Sequence, residues 1–340
     1  MTMSKNSIAV LGAGGWGLAI SNLLCGKGYN VRLWEFDPDA TRELNETRVL
    51  PKKLPGVRLA EPVFVTDKIA EAVADAFVVA FAVPSQTMRP VAQKFASLKL
   101  TQFPMLVNLA KGIEVDTLKR MSEVLEEAIP EESRRGVATI SGPSHAEEVA
   151  RNIPTAVVAA SKEIGIAREI QEIFMTPRFR VYTSADILGV ELAGSLKNII
   201  ALAAGMLDGL EMGDNTRGAL LTRGLAEIAR IGKNLGADPM TFSGLSGIGD
   251  LVTTCLSKHS RNRFVGEQIG RGRKLKTILS HMTMVAEGVD TTKSGLALSQ
   301  RQGVEMPITA EVHKVLFENK APIEAIDDLM VRGPKPERWY

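Results

Sequence analysis

Lys197 stands in the run Glu191-Leu192-Ala193-Gly194-Ser195-Leu196-Lys197-Asn198-Ile199, where it and Asn198 interrupt a face of small and aliphatic side chains. A lysine there either reaches to solvent or is partly buried, and burial lowers its pKa until it can trade a proton near neutrality. Lys111, in Asn108-Leu109-Ala110-Lys111-Gly112, is suited to place a second ammonium near a carbonyl or phosphate oxygen. Asp250, in Gly247-Ile248-Gly249-Asp250, can hold a nearby ammonium or cap a helix over residues 251–255. Ser260-Arg261-Asn262-Arg263 gathers donors at the start of a helix, as a phosphate clamp would or as a solvated basic turn would.

The strongest local signal lies near the start, in Gly12-Ala13-Gly14-Gly15-Trp16-Gly17. It directly follows a strand pattern and opens a helix, so its backbone can approach a pyrophosphate while the helix N-terminus presents free N–H groups. An acid about twenty residues on completes the dinucleotide pattern. Glu35 fills that place at the end of the second strand, suited to accept from a ribose hydroxyl. A carboxylate there repels a 2′-phosphate, and Phe36 offers adenine an apolar face, so the sequence leans towards NAD over NADP. Arg32 is one potential phosphate partner, with its direction unsettled by strand alternation.

The elements that must position these groups follow from periodicity. Strand runs are expected at residues 8–11, 31–35, 63–66, 77–83, 105–109, 137–140 and 155–160, several apolar on both faces as in a covered parallel sheet. Between them lie helical patterns, such as residues 16–24 and the face made by Leu118, Met121 and Leu125. Alternation of this kind means βαβ units: a Rossmann-like, doubly wound α/β sheet over residues 1–184. Ligands collect at the carboxyl ends of such strands. Three polar turns sit there: Val83-Pro84-Ser85, the Lys111 turn, and Ser141-Gly142-Pro143-Ser144-His145, where Gly142 and Ser144 can offer donors. Beyond about residue 186 the texture is nearly all helical, with stretches at 186–208, 216–235, 262–269, 289–302, 310–319 and 323–330, so residues 185–340 form an all-α C-terminal domain.

The bulk properties exclude several classes. The 340 residues are 45% hydrophobic and 24% charged with a formal net charge of +2, a length that suggests two domains and a charge too balanced for a nucleic-acid protein. Cys25 and Cys255 stand far apart, without the spacing of a disulfide framework or zinc knuckle. His145, His259, His281 and His313 show no metal-ligand spacing, so no metal is expected, and no Gly-x-Ser-x-Gly elbow is present. Residues 1–7 are polar and lack a signal-peptide core, and the apolar stretch 199–207 is too short to span a bilayer, so the expected location is the cytoplasm. That same stretch would permit pairing with a second copy as a homodimer.

Taken together, the motifs resemble the NAD(P)-dependent glycerol-3-phosphate dehydrogenase family. The resemblance is carried by the glycine turn, Val83-Pro84-Ser85, Ala110-Lys111-Gly112, Ser141-Gly142-Pro143-Ser144, Pro154-Thr155, Leu196-Lys197-Asn198, Gly249-Asp250, Ser260-Arg261-Asn262-Arg263 and Val285-Ala286-Glu287-Gly288. They stand in the family's order over nearly the whole chain, and the Lys-Asn and Ser-Arg-Asn-Arg pieces are the specific ones. The resemblance implies hydride transfer between NAD(P)H and dihydroxyacetone phosphate, giving sn-glycerol 3-phosphate for glycerophospholipid synthesis. It implies Lys197 as proton donor and acceptor at the carbon-2 oxygen, Asp250 fixing its ammonium, and Lys111 as a second cation. Gly142, Ser144, Ser260, Arg261 and Asn262 would then contact substrate. Gly15, Trp16, Phe36, Lys111, Ala146, Arg261, Val285 and Glu287 would contact cofactor, beside Gly12, Gly14, Gly17 and Glu35. Bacterial members often carry His or Arg near position 36, and the Glu35-Phe36 pair departs from that.

Two other readings share parts of this pattern. Another two-domain dehydrogenase, for a hydroxy acid or 6-phosphogluconate, would also have the glycine turn and a helical second half. A non-catalytic NAD(H) sensor would need the turn but not Lys111, Lys197 and Asp250 together.

Overall fold

A computed structural model of the chain describes residues 6–100 and 102–337. The polar lead at residues 1–5, part of the expectation for the N-terminus, lies outside the described residues, as do residues 338–340 at the end of the expected helical domain.

Eight strands form one sheet: β1 (Ser7–Leu11), β2 (Asn30–Trp34), β3 (Phe64–Thr66), β4 (Val78–Phe81), β5 (Met105–Asn108), β6 (Gly136–Ser141), β7 (Thr155–Ala160) and β8 (Phe179–Ser184). Their order is β3-β2-β1-β4-β5-β6-β7-β8. All neighbours run parallel except β6 and β7, which pair antiparallel with Ile140 opposite Ala159. The order reverses between β1 and β4, and the crevice at that switch point is where an open α/β sheet takes its ligand. Strand alternation explains the burial on both faces. In β1, Ile8 and Val10 join one buried layer while Ala9 and Leu11 join the other.

The doubly wound sheet and the helical second half match the fold read from the sequence. Two local readings need correction. β8 was not expected; Phe179 and Val181 turn inward while Arg180 and Tyr182 face out, the alternation of an edge strand with one wet face. Leu118 does not share a helical face with Met121 and Leu125. The helix begins at Met121, and Leu118 adopts a left-handed φ of 60° in a tight turn closed by the Ile113–Arg120 bridge.

β8 ends at Ser184 and the helix Ile187–Gly209 begins three residues later. This 23-residue helix is long and apolar enough to cross a membrane, longer than the apolar stretch alone suggests, yet 89% of its most apolar window is buried inside the chain. It is the axis of the helical half. Around it pack Asp214–Asn234, Asp250–Leu256, Arg261–Gly270, Glu287–Gln302 and Pro307–Phe317. Because Ile199, Ile200, Ala201 and Leu202 are wholly buried there, the stretch has no face left for a second copy, which removes that ground for a homodimer.

Glycines allow one of these contacts to be very close. A Cβ at Gly205 would run into the Arg263 carbonyl, and one at Gly266 into the Leu202 carbonyl. The helix Arg261–Gly270 therefore lies almost backbone to backbone on the central helix, which brings Asn262 onto Asn198.

Candidate active site

The glycine turn is tight for a stated reason. Gly12 has a φ of 110°, and a Cβ there would lie 2.8 Å from the Ala82 carbonyl oxygen after β4. Gly14 precedes the helix Gly15–Gly26, and no side chain caps that helix's first N–H groups. Nothing lies within 4 Å of where a Gly14 Cβ would be, so the backbone is open on that side. These features fit a pyrophosphate on the helix N-terminus.

Glu35 is buried beneath the turn. Its Oε2 accepts from the Ala13 N–H at 3.1 Å and its Oε1 from the Asp37 N–H at 3.2 Å. Burial raises its pKa, with those two backbone donors opposing. Glu35 thus ties the end of β2 to the glycine turn as well as lining the crevice. Phe36 stands at the rim with its ring exposed. Arg32 points elsewhere, donating to the Glu71 carbonyl at 2.9 Å, so it is no phosphate partner in this arrangement.

Across the crevice, the central helix carries Lys197 inward to 5% exposure. Its ammonium donates to Asp250 Oδ1 at 2.6 Å and to the Thr254 hydroxyl. Asp250 and Thr254 are four residues apart, on one face of the helix Asp250–Leu256. Lys111, after β5, donates to the other carboxylate oxygen, Asp250 Oδ2, at 2.7 Å and to the Gly142 carbonyl at 2.8 Å. Asp250 opens its helix rather than capping it, since the capping position is Gly249.

Burial pushes the Lys197 pKa down to about 8, with Lys111's charge adding to the fall and Asp250 opposing it. Burial alone would raise Asp250; the ammoniums of Lys111 and Lys197 overcome it and hold the carboxyl below its usual range. Two ammoniums on one carboxylate leave this cluster with a net positive charge, which favours an anionic small molecule beside it. Cys255, beside them, is pushed up to about 12 by burial and is inert as a nucleophile at neutral pH.

A hydrogen-bonded chain joins the two halves. Asn198 donates to the Lys111 carbonyl at 3.2 Å, Asn262 donates to Asn198 at 2.9 Å, and the Gly288 N–H donates to Asn262 at 2.9 Å. Glu287 accepts from the Ser85 N–H at 2.9 Å and from the Ser85 hydroxyl, 202 residues away. Arg261 donates to the Val285 carbonyl at 2.8 Å, and Ser260 caps its helix by accepting from the Arg263 N–H. Arg263 leaves the cluster, pairing with Asp208 at 2.6 Å.

Of the residues expected at the site, all but Gly17 and Gly142 line one cavity of about 670 Å³ that runs from the glycine turn to Lys197. Gly17 sits behind the wall. A Cβ there would run into the Gly12 carbonyl, so its part is to let helix and turn lie together rather than to touch a ligand. Gly142 is also behind the wall, and instead of offering a donor it accepts from Lys111 and from the Ser144 hydroxyl, the latter at 3.1 Å. Among the described residues, no group of histidine, cysteine and acidic side chains could hold a metal.

Residues 7–167 and 186–327 match the N-terminal and C-terminal parts, respectively, of the family described as NAD-dependent glycerol-3-phosphate dehydrogenase. The chain belongs to that family. Relatives of the glycerol-3-phosphate dehydrogenases support this at full length. The chain is 54% identical over 333 residues to glycerol-3-phosphate dehydrogenase [NAD(P)+] of Chlorobium phaeobacteroides, covering 98% of this chain and 99% of that one. It is 49% identical to the protein of the same name from Geobacter metallireducens, covering 97% and 98%. The crystal structure of glycerol-3-phosphate dehydrogenase from Coxiella burnetii superposes with a TM-score of 0.92 at 36% identity, over 96% of this chain and 99% of that one.

Several residues of this glycerol-3-phosphate dehydrogenase family member were not singled out from sequence. Thr254 shares Lys197 with Asp250, and the four-residue spacing on an apolar helix was the available signal. Glu191 is 4% exposed and takes Arg120 at 2.6 Å, the Ser122 N–H at 2.9 Å, the Thr139 hydroxyl at 2.9 Å and Asn108 at 3.2 Å. It pins the central helix to β5 and β6 six residues before Lys197. A glutamate among small apolar residues was the only hint. His145 and Lys53 also line the cavity.

Proposed function

We propose that the chain reduces dihydroxyacetone phosphate to sn-glycerol 3-phosphate, reversibly, with Lys197 as the proton donor and acceptor. The single observation that carries the assignment of roles is that Lys197, Asp250 and Lys111 meet in the same cavity as the glycine turn. When bound, the reduced nicotinamide supplies a hydride to the ketone carbon. Negative charge then grows on the carbon-2 oxygen. Lys197, protonated, stabilises that oxygen and gives up its proton to make the hydroxyl, while Lys111 adds field from a second side. Asp250 fixes both ammoniums. A single well-placed acid contributes about 10²–10⁴-fold in rate.

Residues 1–184 would hold the dinucleotide and 185–340 most of the substrate. Gly12, Gly14, Gly15 and Trp16 cradle its pyrophosphate end, with Ala146, Val285 and Glu287 along the wall. Ser144, Ser260, Arg261 and Asn262 would take the substrate phosphate, Arg261 by charge. Glu35 with Phe36 favours NADH over NADPH, since a buried carboxylate near the ribose disfavours a further anion. The product would feed glycerophospholipid synthesis. The cytoplasm is the proposed place of work, in keeping with two free thiols and an apolar helix buried in the core.

Absorbance at the nicotinamide band tests this. NADH oxidation should require dihydroxyacetone phosphate and proceed faster than NADPH oxidation; in the reverse direction NAD+ reduction should proceed with sn-glycerol 3-phosphate and fail with 6-phosphogluconate. Turnover of 6-phosphogluconate in place of the three-carbon substrate would overturn the reading.

A further inference from the structure

Lys111 is a long side chain on a turn, yet its ammonium must meet Asp250 while Lys197 holds the same carboxylate. What fixes that turn is a buried amide. Asn108 is the last residue of β5 and is wholly excluded from solvent. Its Oδ1 accepts from the Ala110 N–H at 2.9 Å, and its Nδ2 donates to the Ala110 carbonyl at 3.1 Å. One side chain thus holds both backbone polar groups of the residue before Lys111. The same Nδ2 reaches the Thr139 hydroxyl at 3.3 Å and Glu191 Oε1 at 3.2 Å. Turning the amide over would set its oxygen against that carboxylate and its NH2 against the Ala110 N–H, so its orientation is fixed.

Glu191 lies on the central helix, as Lys197 does. Positions 191, 194 and 198 recur along one face of that helix. Glu191 grips the Lys111 turn through Asn108, and Asn198 grips it directly, donating to the Lys111 carbonyl at 3.2 Å. Between them, a Cβ at Gly194 would stand 2.5 Å from the Ser141 hydroxyl oxygen and 3.8 Å from Lys111 Cγ. Glycine there leaves Ser141 and the lysine stem their space. One rigid element therefore carries Lys197 and also holds the turn that bears Lys111. Asn108 itself is not among the residues that line the cavity, whereas Ala110 and Lys111 are.

We propose that Asn108 is a positioning residue for the reaction: by holding Ala110 against the central helix, it sets where the Lys111 ammonium stands beside Asp250. The proposal rests on the reading of Lys111 as the second cation in reduction of dihydroxyacetone phosphate.

A double-mutant cycle of Asn108→Ala with Lys111→Met tests it, read as the single-turnover rate of dihydroxyacetone phosphate reduction by NADH. Asn108→Ala alone should slow the reaction by about 10- to 100-fold, the scale of a misplaced group, with NADH affinity nearly unchanged. In the Lys111→Met background the same substitution should cost no more than about twofold, because the group it positions is already gone. Asn108→Ser leaves nearly the same gap as alanine, but its hydroxyl can accept from the N–H two residues on, as Asn108 does. It should recover most of the rate. Run through the same cycle, serine should show a smaller loss that also vanishes with Lys111, which guards against misfolding of the alanine variant.

The pH profile gives an independent readout. The titratable groups that act on or feel Lys197 are Asp250 and Cys255 from the helix Asp250–Leu256, Lys111 from the turn after β5, and His145 from the turn after β6. Of these, only Lys111 is held through Asn108. Its charge helps to lower Lys197, so in Asn108→Ala the falling limb of the reduction rate should move to higher pH. Equal losses in both backgrounds would overturn the proposal. So would a serine variant no faster than alanine, or a limb that stays where the wild type has it. A wild-type rate in Lys111→Met would instead remove the role given to Lys111, and this proposal with it.

Discussion

Lys197 and Asp250 are 53 residues apart in sequence, yet the lysine ammonium stands 2.6 Å from the aspartate Oδ1 with both side chains nearly excluded from solvent. Neither charge could be buried there alone. Breaking a buried pair by removing one partner typically costs about 3–5 kcal/mol, because the other is left uncompensated. Here Lys111 holds the second carboxylate oxygen, so one acid serves two ammoniums.

This arrangement sets a pH dependence. Lys197 is lowered to about 8, so the protonated form that donates in ketone reduction is lost as pH rises through about 8. The reduction rate at saturating substrate should fall across that range, and the oxidation rate should rise across it. Asp250→Asn removes the charge that opposes burial, so the falling limb should move to lower pH. Profiles of kcat in both directions check this. A limb near the ordinary lysine value in the wild type would contradict it.

Gly17→Ala should weaken dinucleotide binding although Gly17 touches no cavity. The new methyl group runs into the Gly12 carbonyl, and overpacking of this kind costs about 1–3 kcal/mol. Relief requires the helix to back away from the turn, which moves its N–H groups. NADH titration by fluorescence should show an affinity loss on the order of tenfold. Unchanged affinity would mean the helix and turn are not a rigid unit.

Glu287→Gln should loosen the two halves. The carboxylate accepts twice from Ser85. An amide keeps the Ser85 N–H only by turning its NH2 to the Ser85 hydroxyl, which must then accept instead of donate. Two charge-assisted bonds become neutral ones. A loss of about 1–3 kcal/mol is expected in chemical denaturation, with weaker NADH binding. If neither moves, the Ser85–Glu287 pair does not hold the cavity wall.

Glu227 gives a test far from the site. It is buried and accepts from the Ile308 and Thr309 N–H groups, and burial raises its pKa to about 7. A raised folded-state value means the stability it contributes is fully present below its unfolded value of 4.5 and is lost as pH rises through about 7. The loss is on the order of 3 kcal/mol. Glu227→Gln should flatten the difference in Tm between pH 5 and pH 8, relative to wild type. An equal slope in both proteins would mean Glu227 does not titrate in that range.

The fold was legible where local pattern and tertiary structure agree. β1, the glycine turn and its helix follow from a strand run, a Gly-rich turn and 3.6-residue spacing, and all depend on residues near one another. β8 was missed because only Phe179 and Val181 of its six residues are buried, so it lacks the continuous apolar run that marks the doubly buried strands. Leu118 was misplaced because its spacing imitates a helical face, and only its φ shows otherwise. At the site, Lys197 taken alone was open between two readings. Its partners Asp250 and Thr254 come from another helix, and nothing in the spacing of residue 197 points to them. The motif at residues 260–263 read as a gathering of donors at the start of a helix. The fold divides them, with Arg261 at the crevice and Arg263 on Asp208, because residues two apart on a helix point in different directions.

The central claim is that Lys197 moves the proton, and Lys197→Met tests it most directly. Methionine keeps much of the side chain's length and packing while removing the ammonium. Single-turnover reduction of dihydroxyacetone phosphate by bound NADH should slow by about 10²–10⁴-fold, with the NADH dissociation constant nearly unchanged. A variant that reduces the ketone at the wild-type rate would contradict the account.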